Sequence, residues 1–386
     1  FDKAIQAYRD TLRLSPNYFE AYIGIGRAYI NSNRSKEAIG PLKNAITINP
    51  SHTDSYERLG AAHQNLGQHD KALTPYREFA NIDFRNPVAH FKLGVAYSRI
   101  TRNRDAIKSF QEAIKWDNEF PEAHSNIGSL YQDLGEFDNA LDEYKRVIFL
   151  DQNNLDAYIN IGEIHELFNR YEEAIHNFQS VIDIDPNHVE GHVRLGWNYA
   201  KLQHSEEALA EFQAALEIDP DREQTYYRLG VTYGELERFS EGLESLQKAL
   251  RLNPNHLDTL FQLGRFNSIL GNYQEAANHL NKLLKLAPNY SEVGLLSGKN
   301  LVELNQFKSA LPHLEKAVQQ QPDSFEAQFN LGLNLIHLNR SADAIGHFQK
   351  AVKIKPESAL TFNHLGQTYQ KLKMYPQGIF SYKQAT

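Results

Sequence analysis

Glycine returns every 34 residues along this chain, at Gly26, Gly60, Gly94, Gly128, Gly162, Gly196, Gly230, Gly264, Gly298, Gly332 and Gly366. Equal intervals leave no room for an insertion or deletion between the first and the last. A stack of like units needs such regularity, because each unit must seat on its neighbour in the same way. The spacing therefore outweighs the two globular domains that a length of 386 residues would otherwise suggest.

Counted from seven residues before each glycine, the units begin at Phe19, Thr53, Pro87, Pro121, Leu155, Val189, Glu223, Leu257, Ser291, Phe325 and Ala359. Residues 1–18 form the second half of a unit truncated at its start, and the last unit is incomplete. The frame spans 1–386 as one continuous array, with no segment left for a separate catalytic domain or linker. Because both ends fall inside a unit, the chain reads as a stretch of something longer.

Each unit predicts two amphipathic helices joined by a turn. In residues 155–188, Tyr158, Ile161, Ile164 and Phe168 share one helical face, and Ala174, Phe178, Val181 and Ile184 share another. Asn169 and Arg170 separate them, and Pro186 closes the unit. The repeated glycine sits mid-helix, where it costs about 1 kcal/mol against alanine. Its presence there predicts close approach to a small residue of the second helix, such as Ala38, Ala72, Ala106 or Ala140, with a large side chain wedged beside it four residues on: Leu42, Tyr76, Phe110 or Tyr144.

The run Tyr226, Leu229, Gly230, Tyr233, then Gly242, Leu246, Ala249 and Pro254, resembles the tetratricopeptide repeat pattern, and the resemblance extends over the whole chain. It implies an all-α fold: a right-handed superhelical α-solenoid of antiparallel helix pairs. First helices would line a concave groove and second helices form the convex back.

Three departures carry expectations. The closing proline is replaced by Phe84, Asn118 and Gln152, so helices there are expected to run on into the next unit. Pro41, Pro75 and Pro312 fall inside second helices and predict kinks. In the unit at 291–324, Gly294 stands where an aromatic is expected and Ser297 where leucine is, which predicts a loose joint over 291–301.

Composition and spacing exclude several functions. The chain has no cysteine, hence no disulfide, thiol nucleophile or cysteine metal ligand; cytoplasm and periplasm are both compatible with that. No stretch approaches the roughly 18 apolar residues of a membrane span. None of the 16 histidines lies at a metal-ligand spacing. His90, His124 and His192 share the slot of Tyr22, Tyr56, Tyr158 and Tyr226, and read as half-buried packing groups. Acidic pairs such as Glu172–Glu173 open second helices, where the helix dipole favours negative charge. The string from Gly294 to Lys299 lacks the spacing and preceding strand of a phosphate loop. No catalytic group, cofactor or metal is expected.

Charge is uneven. The formal net charge is −8, yet residues 121–222 hold 6 Lys and Arg against 21 Asp and Glu. No continuous basic stripe crosses the chain, which argues against nucleic acid as partner. In the resembled family the second, fifth, sixth, ninth, twelfth and thirteenth positions of each unit face the groove. In the units from 189, 223 and 257 these include Arg194, Trp197, Lys201, Tyr227, Arg228, Phe261 and Arg265. Aromatic and arginine side chains are the composition of binding hot spots. The competing reading pairs Arg194 with Glu190 four residues away and lets Tyr227 and Phe261 fill gaps between helices. From the units at 121 and 155 the same positions supply Glu122, Asp133, Asp156, Glu163 and Glu166, an acidic patch suited to a partner of mixed charge.

The family's chaperone-carboxylate clamp is absent, since its lysine slot holds Ile23, Glu57, Phe91 and Ser125. The asparagine ladder of repeat-bearing glycosyltransferases is matched only by Asn126, Asn160 and Asn330. The expected function is therefore a non-enzymatic protein–protein interaction scaffold that holds a peptide or protein segment in its groove. The alternatives are an arm of a larger enzyme or of an envelope export or assembly machine, and a scaffold that self-assembles as a homo-oligomer.

Overall fold

The computed structural model describes residues 1–290 and 292–386. All regular structure among them is helical. Contacts divide the chain into two compact units, 1–186 and 187–386, and the division falls in the turn that closes the repeat beginning at Leu155.

The first unit comprises α1 (Asp2–Leu14), α2 (Phe19–Asn31), α3 (Ser35–Ile48), α4 (Thr53–Asn65), α5 (His69–Ile82), α6 (Pro87–Arg99), α7 (Asn103–Trp116), α8 (Pro121–Asp133), α9 (Phe137–Leu150), α10 (Leu155–Leu167) and α11 (Tyr171–Ile184). The second comprises α12 (Val189–Lys201), α13 (Ser205–Ile218), α14 (Glu223–Glu235), α15 (Phe239–Leu252), α16 (Leu257–Ile269), α17 (Tyr273–Leu286), α18 (Val293–Glu303), α19 (Phe307–Gln320), α20 (Phe325–His337), α21 (Ser341–Ile354), α22 (Ala359–Lys371) and α23 (Tyr375–Gln384). Each first helix folds back on its second helix as an antiparallel pair, and within each compact unit each second helix packs on the next first helix.

The turn inside each pair is built the same way throughout. The fifteenth residue of the unit has positive φ: Asn33, Gly67, Thr101, Gly135, Asn169 and their successors, with φ from 55° to 78°. The following amide reaches back five residues, as in Arg102 N to Tyr97 O at 3.0 Å and Arg170 N to His165 O at 2.9 Å. This six-to-one bond satisfies a carbonyl that the helix end leaves open. The left-handed residue is most often asparagine or glycine, the types that tolerate it.

Between pairs, the expectation that helices run on where proline is missing is overturned. α5, α7 and α9 stop at Ile82, Trp116 and Leu150, in step with the proline-bearing junctions. The stop lies one residue before the missing proline, at an Asp: Asp117 and Asp151 fold their side chains onto their own backbone, and Asp83 accepts from the Asn86 side chain at 2.8 Å. Asp117 Oδ1 accepts from Glu119 N at 3.1 Å and Asp151 Oδ1 from Asn153 N at 3.1 Å, as Asn49 Oδ1 does from Ser51 N at 3.2 Å beside a proline. An Asx turn ends the helix with or without proline. Pro41, Pro75 and Pro312 lie within helices that keep the 14 residues of proline-free ones.

The repeated glycine meets the wedge rather than the alanine. A Cβ at Gly94 would lie 2.7 Å from Phe110, at Gly162 2.8 Å from Phe178, and at Gly332 2.7 Å from Phe348. The helix-pair core is thus a ring or leucine laid directly on glycine backbone sixteen residues earlier. The small residue lets the helices close behind it: Ala106, Ala174 and Ala344 are fully buried, and the carbonyl of Ala208 would be 3.1 Å from a Cβ at Gly196.

Histidines pair across the helices at a separation that sequence spacing conceals. His124 Nδ1 lies 2.6 Å from Glu143 Oε2, and His192 Nδ1 lies 2.7 Å from Glu211 Oε2. Each joins the fourth position of a unit to the twenty-third. In the unit at 325 the order reverses, with His347 Nδ1 at 2.8 Å from Gln328 Oε1. Neighbouring units are tied by another recurring bond: Arg77 Nη2 donates to Tyr97 Oη at 3.0 Å, and Gln213 Nε2 to Tyr233 Oη at 3.0 Å.

The unit at 291–324 departs from its neighbours. Ser291 lies outside the described residues. α18 has 11 residues where α16 and α20 have 13, and Glu292 before it has φ 69°. A Cβ at Gly294 would be 3.1 Å from the His313 carbonyl, so the small residue sets a close approach of α18 to α19. Ser297 is buried, with its Oγ unpartnered among the described residues.

Three expectations follow from this packing. Gly94→Ala should lower stability by about 1–2 kcal/mol through overpacking against Phe110. The same change at Gly40, where a Cβ meets nothing within 4 Å, should raise it by roughly 1 kcal/mol through helix propensity. Urea unfolding midpoints moving the same way in both would refute the wedge. Amides of 293–301 should exchange with solvent faster than those of α16 and α20, measured by hydrogen exchange. Burial lowers the pKa of His279, His313, His347 and His364. A depressed histidine favours folding above its unfolded value of about 6.5, and that contribution fades as pH falls toward the folded value. The second unit should therefore melt lower at pH 5.5 than at 7.5, and a His279→Gln/His313→Gln variant should show a flatter pH dependence.

Candidate functional site

The candidate residues of the second unit fall into two groups. In the first, two cations stand over the ring of Trp197 of α12. Lys201 Nζ is 4.2 Å from the ring centroid, one helical turn on, and the Arg228 guanidinium of α14 is 4.5 Å from it. The ring packs, half-buried, on the cluster around Phe212 and Leu209. Lys201 is exposed and Arg228 half-buried, so each cation–π contact contributes about 0.5–1 kcal/mol. Arg194 makes the competing contact: its Nε is 3.1 Å from Glu190, which Arg222 also holds at 2.7 Å.

The second group is a cleft of about 350 Å³ between first helices. Phe261 and Arg265 of α16 form one wall; Leu295, Leu296 and Lys299 of α18 form the other; Ala327 of α20 and the end of α19 close it. The Phe261 ring is propped by Tyr290 at 5.6 Å between centroids, and the Tyr290 hydroxyl donates to Asp258 at 2.5 Å. Burial and that carboxylate push the Tyr290 phenol above its usual range. Tyr227 belongs to neither group: its ring stands edge-on to His256 at 5.1 Å and packs beside Leu246 and Phe266, filling the space between helices.

Glu235 of α14 stands between the groups. Its side chain reaches solvent, yet the surrounding protein raises its pKa while Lys201 and Arg265 both oppose that rise. Glu235, Leu295, Leu296 and Lys299 occupy the thirteenth, fifth, sixth and ninth positions of their units. The positional rule that selects the expected residues therefore selects these too once it is carried into the units at 223 and 291.

In the first unit, Glu122, Asp133 and Asp156 are exposed, and Glu163 and Glu166 are half-buried. The charges of Asp133 and Glu163 both act on the hydroxyl of Tyr144. Its pKa is raised first by burial and then by these two carboxylates, and it donates to Gln132 at 3.1 Å. Among the described residues, no group of three or more His, Asp or Glu is placed to hold a metal ion, and no helix is long and apolar enough to cross a membrane.

Antiparallel pairs closed by left-handed turns and stacked at a fixed period define an α-helical repeat protein. Family models described as tetratricopeptide repeat match residues 1–53, 168–229, 221–289 and 295–359, and a model described as TPR repeat matches 102–135 and 129–167. The chain belongs to the tetratricopeptide repeat family. No curated protein matches it. Among solved structures, the C-terminal part of a TPR repeat-containing protein from Cytophaga hutchinsonii is 15% identical with a TM-score of 0.53, over 63% of this chain and 98% of that one. MamA from Desulfovibrio magneticus RS-1 is 28% identical with a TM-score of 0.41, over 42% of this chain and 92% of that one. YrrB, described as a TPR protein with an unusual peptide-binding site, is 22% identical with a TM-score of 0.44, over 48% of this chain and 95% of that one.

Proposed function

We propose that this chain is a non-enzymatic protein-interaction scaffold whose second unit holds a peptide or protein segment along the face made by its first helices. The observation that carries this reading is the pair of cations over the Trp197 ring. Two cations from neighbouring repeats converge on one indole, 4.2 and 4.5 Å away, at positions that the repeat frame leaves free to vary. The stacking of helices needs no tryptophan there, since the same slot holds Ala61, Ser129 and Val231 in other repeats. A rigid aromatic surface flanked by cations suits a segment that mixes apolar side chains with carboxylates.

Selection of a displayed random-peptide library on the wild-type chain should enrich sequences of that composition. A Trp197→Ala/Arg228→Glu variant with an unchanged melting temperature should lose most of them, by tenfold or more in affinity for a few kcal/mol of hot-spot energy. Identical peptide sets from the two proteins would sink this site.

A further inference from the structure

A recess of 320 Å³ lies between the second helices α13 and α15, floored by the first helix α14. It is separate from the Trp197 group. Tyr226, which lines it, and Arg228, which stands over Trp197, are two residues apart on α14 and so roughly 200° apart around that helix. A recess at the same register occurs in the unit at 155, lined there by Tyr158, Lys145 and His176. The repeat supplies the hollow and leaves the side chains around it free to vary.

In the unit at 223 the lining is acidic and aromatic: Glu217 of α13, Tyr226 and Tyr233 of α14, and Glu241 and Glu244 of α15. The slot of Glu217 holds Thr47, Lys115 and Phe149 in other units, and that of Glu244 holds Gly40, Thr74 and Lys108, so stacking asks for neither carboxylate. Both are exposed, and neither makes an ion pair among the described residues. Glu241 and Tyr233 are already engaged. Arg238 holds Glu241 at 2.8 Å and stands over the Tyr233 ring at 4.8 Å, a stacking that recurs as Arg34 on Tyr29 and Arg102 on Tyr97.

One cation already stands in the recess, and its place there is unusual. Lys248 Nζ lies 5.3 Å from the Tyr226 ring centroid. In the next two units the lysine of the same slot bonds the closing-proline carbonyl: Lys282 Nζ donates to Pro254 O at 2.6 Å, and Lys316 Nζ to Pro288 O. Lys248 makes no such bond to Pro220 among the described residues. An exposed ammonium over one ring is a weak occupant. A guanidinium is a better one, because it is planar, stacks on an aromatic face and carries donors in a fork that reaches carboxylates.

We infer that this recess binds an arginine side chain of a basic partner segment. The guanidinium stacks on Tyr226, Glu217 and Glu244 accept from its N–H groups, and Lys248 is released to the Pro220 carbonyl. This is a second interaction surface, and it does not depend on the Trp197 group.

The probes are labelled peptides of alternating glycine and arginine, and the same peptides with lysine or with glutamine in place of arginine. Fluorescence anisotropy should show wild type binding the arginine peptide about tenfold more tightly than the glutamine peptide, and about threefold more tightly than the lysine peptide. Lys248→Gln removes the competing cation and should tighten the arginine peptide about threefold. Lys282→Gln, which removes the same charge one unit further on, should leave its affinity unchanged. A Glu217→Gln/Glu244→Gln variant, altered only at exposed positions, should bind the arginine and glutamine peptides alike, and Trp197→Ala should keep the arginine preference. Wild type binding arginine no better than glutamine or lysine, a preference that survives in Glu217→Gln/Glu244→Gln, or a Lys248→Gln gain that is missing or matched by Lys282→Gln overturns the inference.

Discussion

The contact on which the structure depends is a large side chain lying on the backbone of a glycine sixteen residues earlier. Phe110 on Gly94 and Phe178 on Gly162 leave less than 3 Å for any added carbon. The contact fixes both the distance and the rotation of one helix about the other, because a ring seated on a helix backbone has no equivalent position one turn away. Repetition of that single contact sets the internal geometry of every pair. The left-handed turn and the Asx turn then only need to bring the next pair to its starting point.

A frame held so tightly leaves other positions free. Of the 13 residues in a first helix such as α12, the packing set is the buried one: His192, Leu195, Gly196 and their like. Trp197 and Lys201 lie outside it, and so does Arg265 in α16. Their identities change from unit to unit without disturbing the stack, which is why chemistry can accumulate there. The fourth and twenty-third positions show a middle case. They must fit each other, but His with Glu, Gln with His, and Gly with His all do so.

The period and the helix pairs were legible in the sequence because they repeat. Eleven glycines in phase leave little freedom for the backbone. Three things were not legible, each for a physical reason. Helix ends at Asp117 and Asp151 depend on a side chain folding onto its own backbone, a weaker signal than proline and one residue before it. The His–Glu pairs join residues 19 apart, a separation that means nothing until the helices are folded back. Tyr227, equal in composition to Phe261 as a groove residue, is taken up by His256 and by the cluster around Phe266. A pattern of positions names candidates for a face; the neighbouring side chains decide which of them face outward.

The unit at 291–324 shows how irregularity and chemistry meet. Gly294 and Ser297 weaken the core there, since Ser297 Oγ is buried without a partner and returns none of the apolar area that leucine supplies in other units. A stack that only needed stability would replace both. Gly294 lets α18 close on the His313 carbonyl of α19, beside the cleft that Arg265 and Lys299 line. Strain or weak packing retained at one place in an otherwise uniform array points to use at that place. The glycines at period positions make the array, and Gly294, outside that period, lets α18 close on α19.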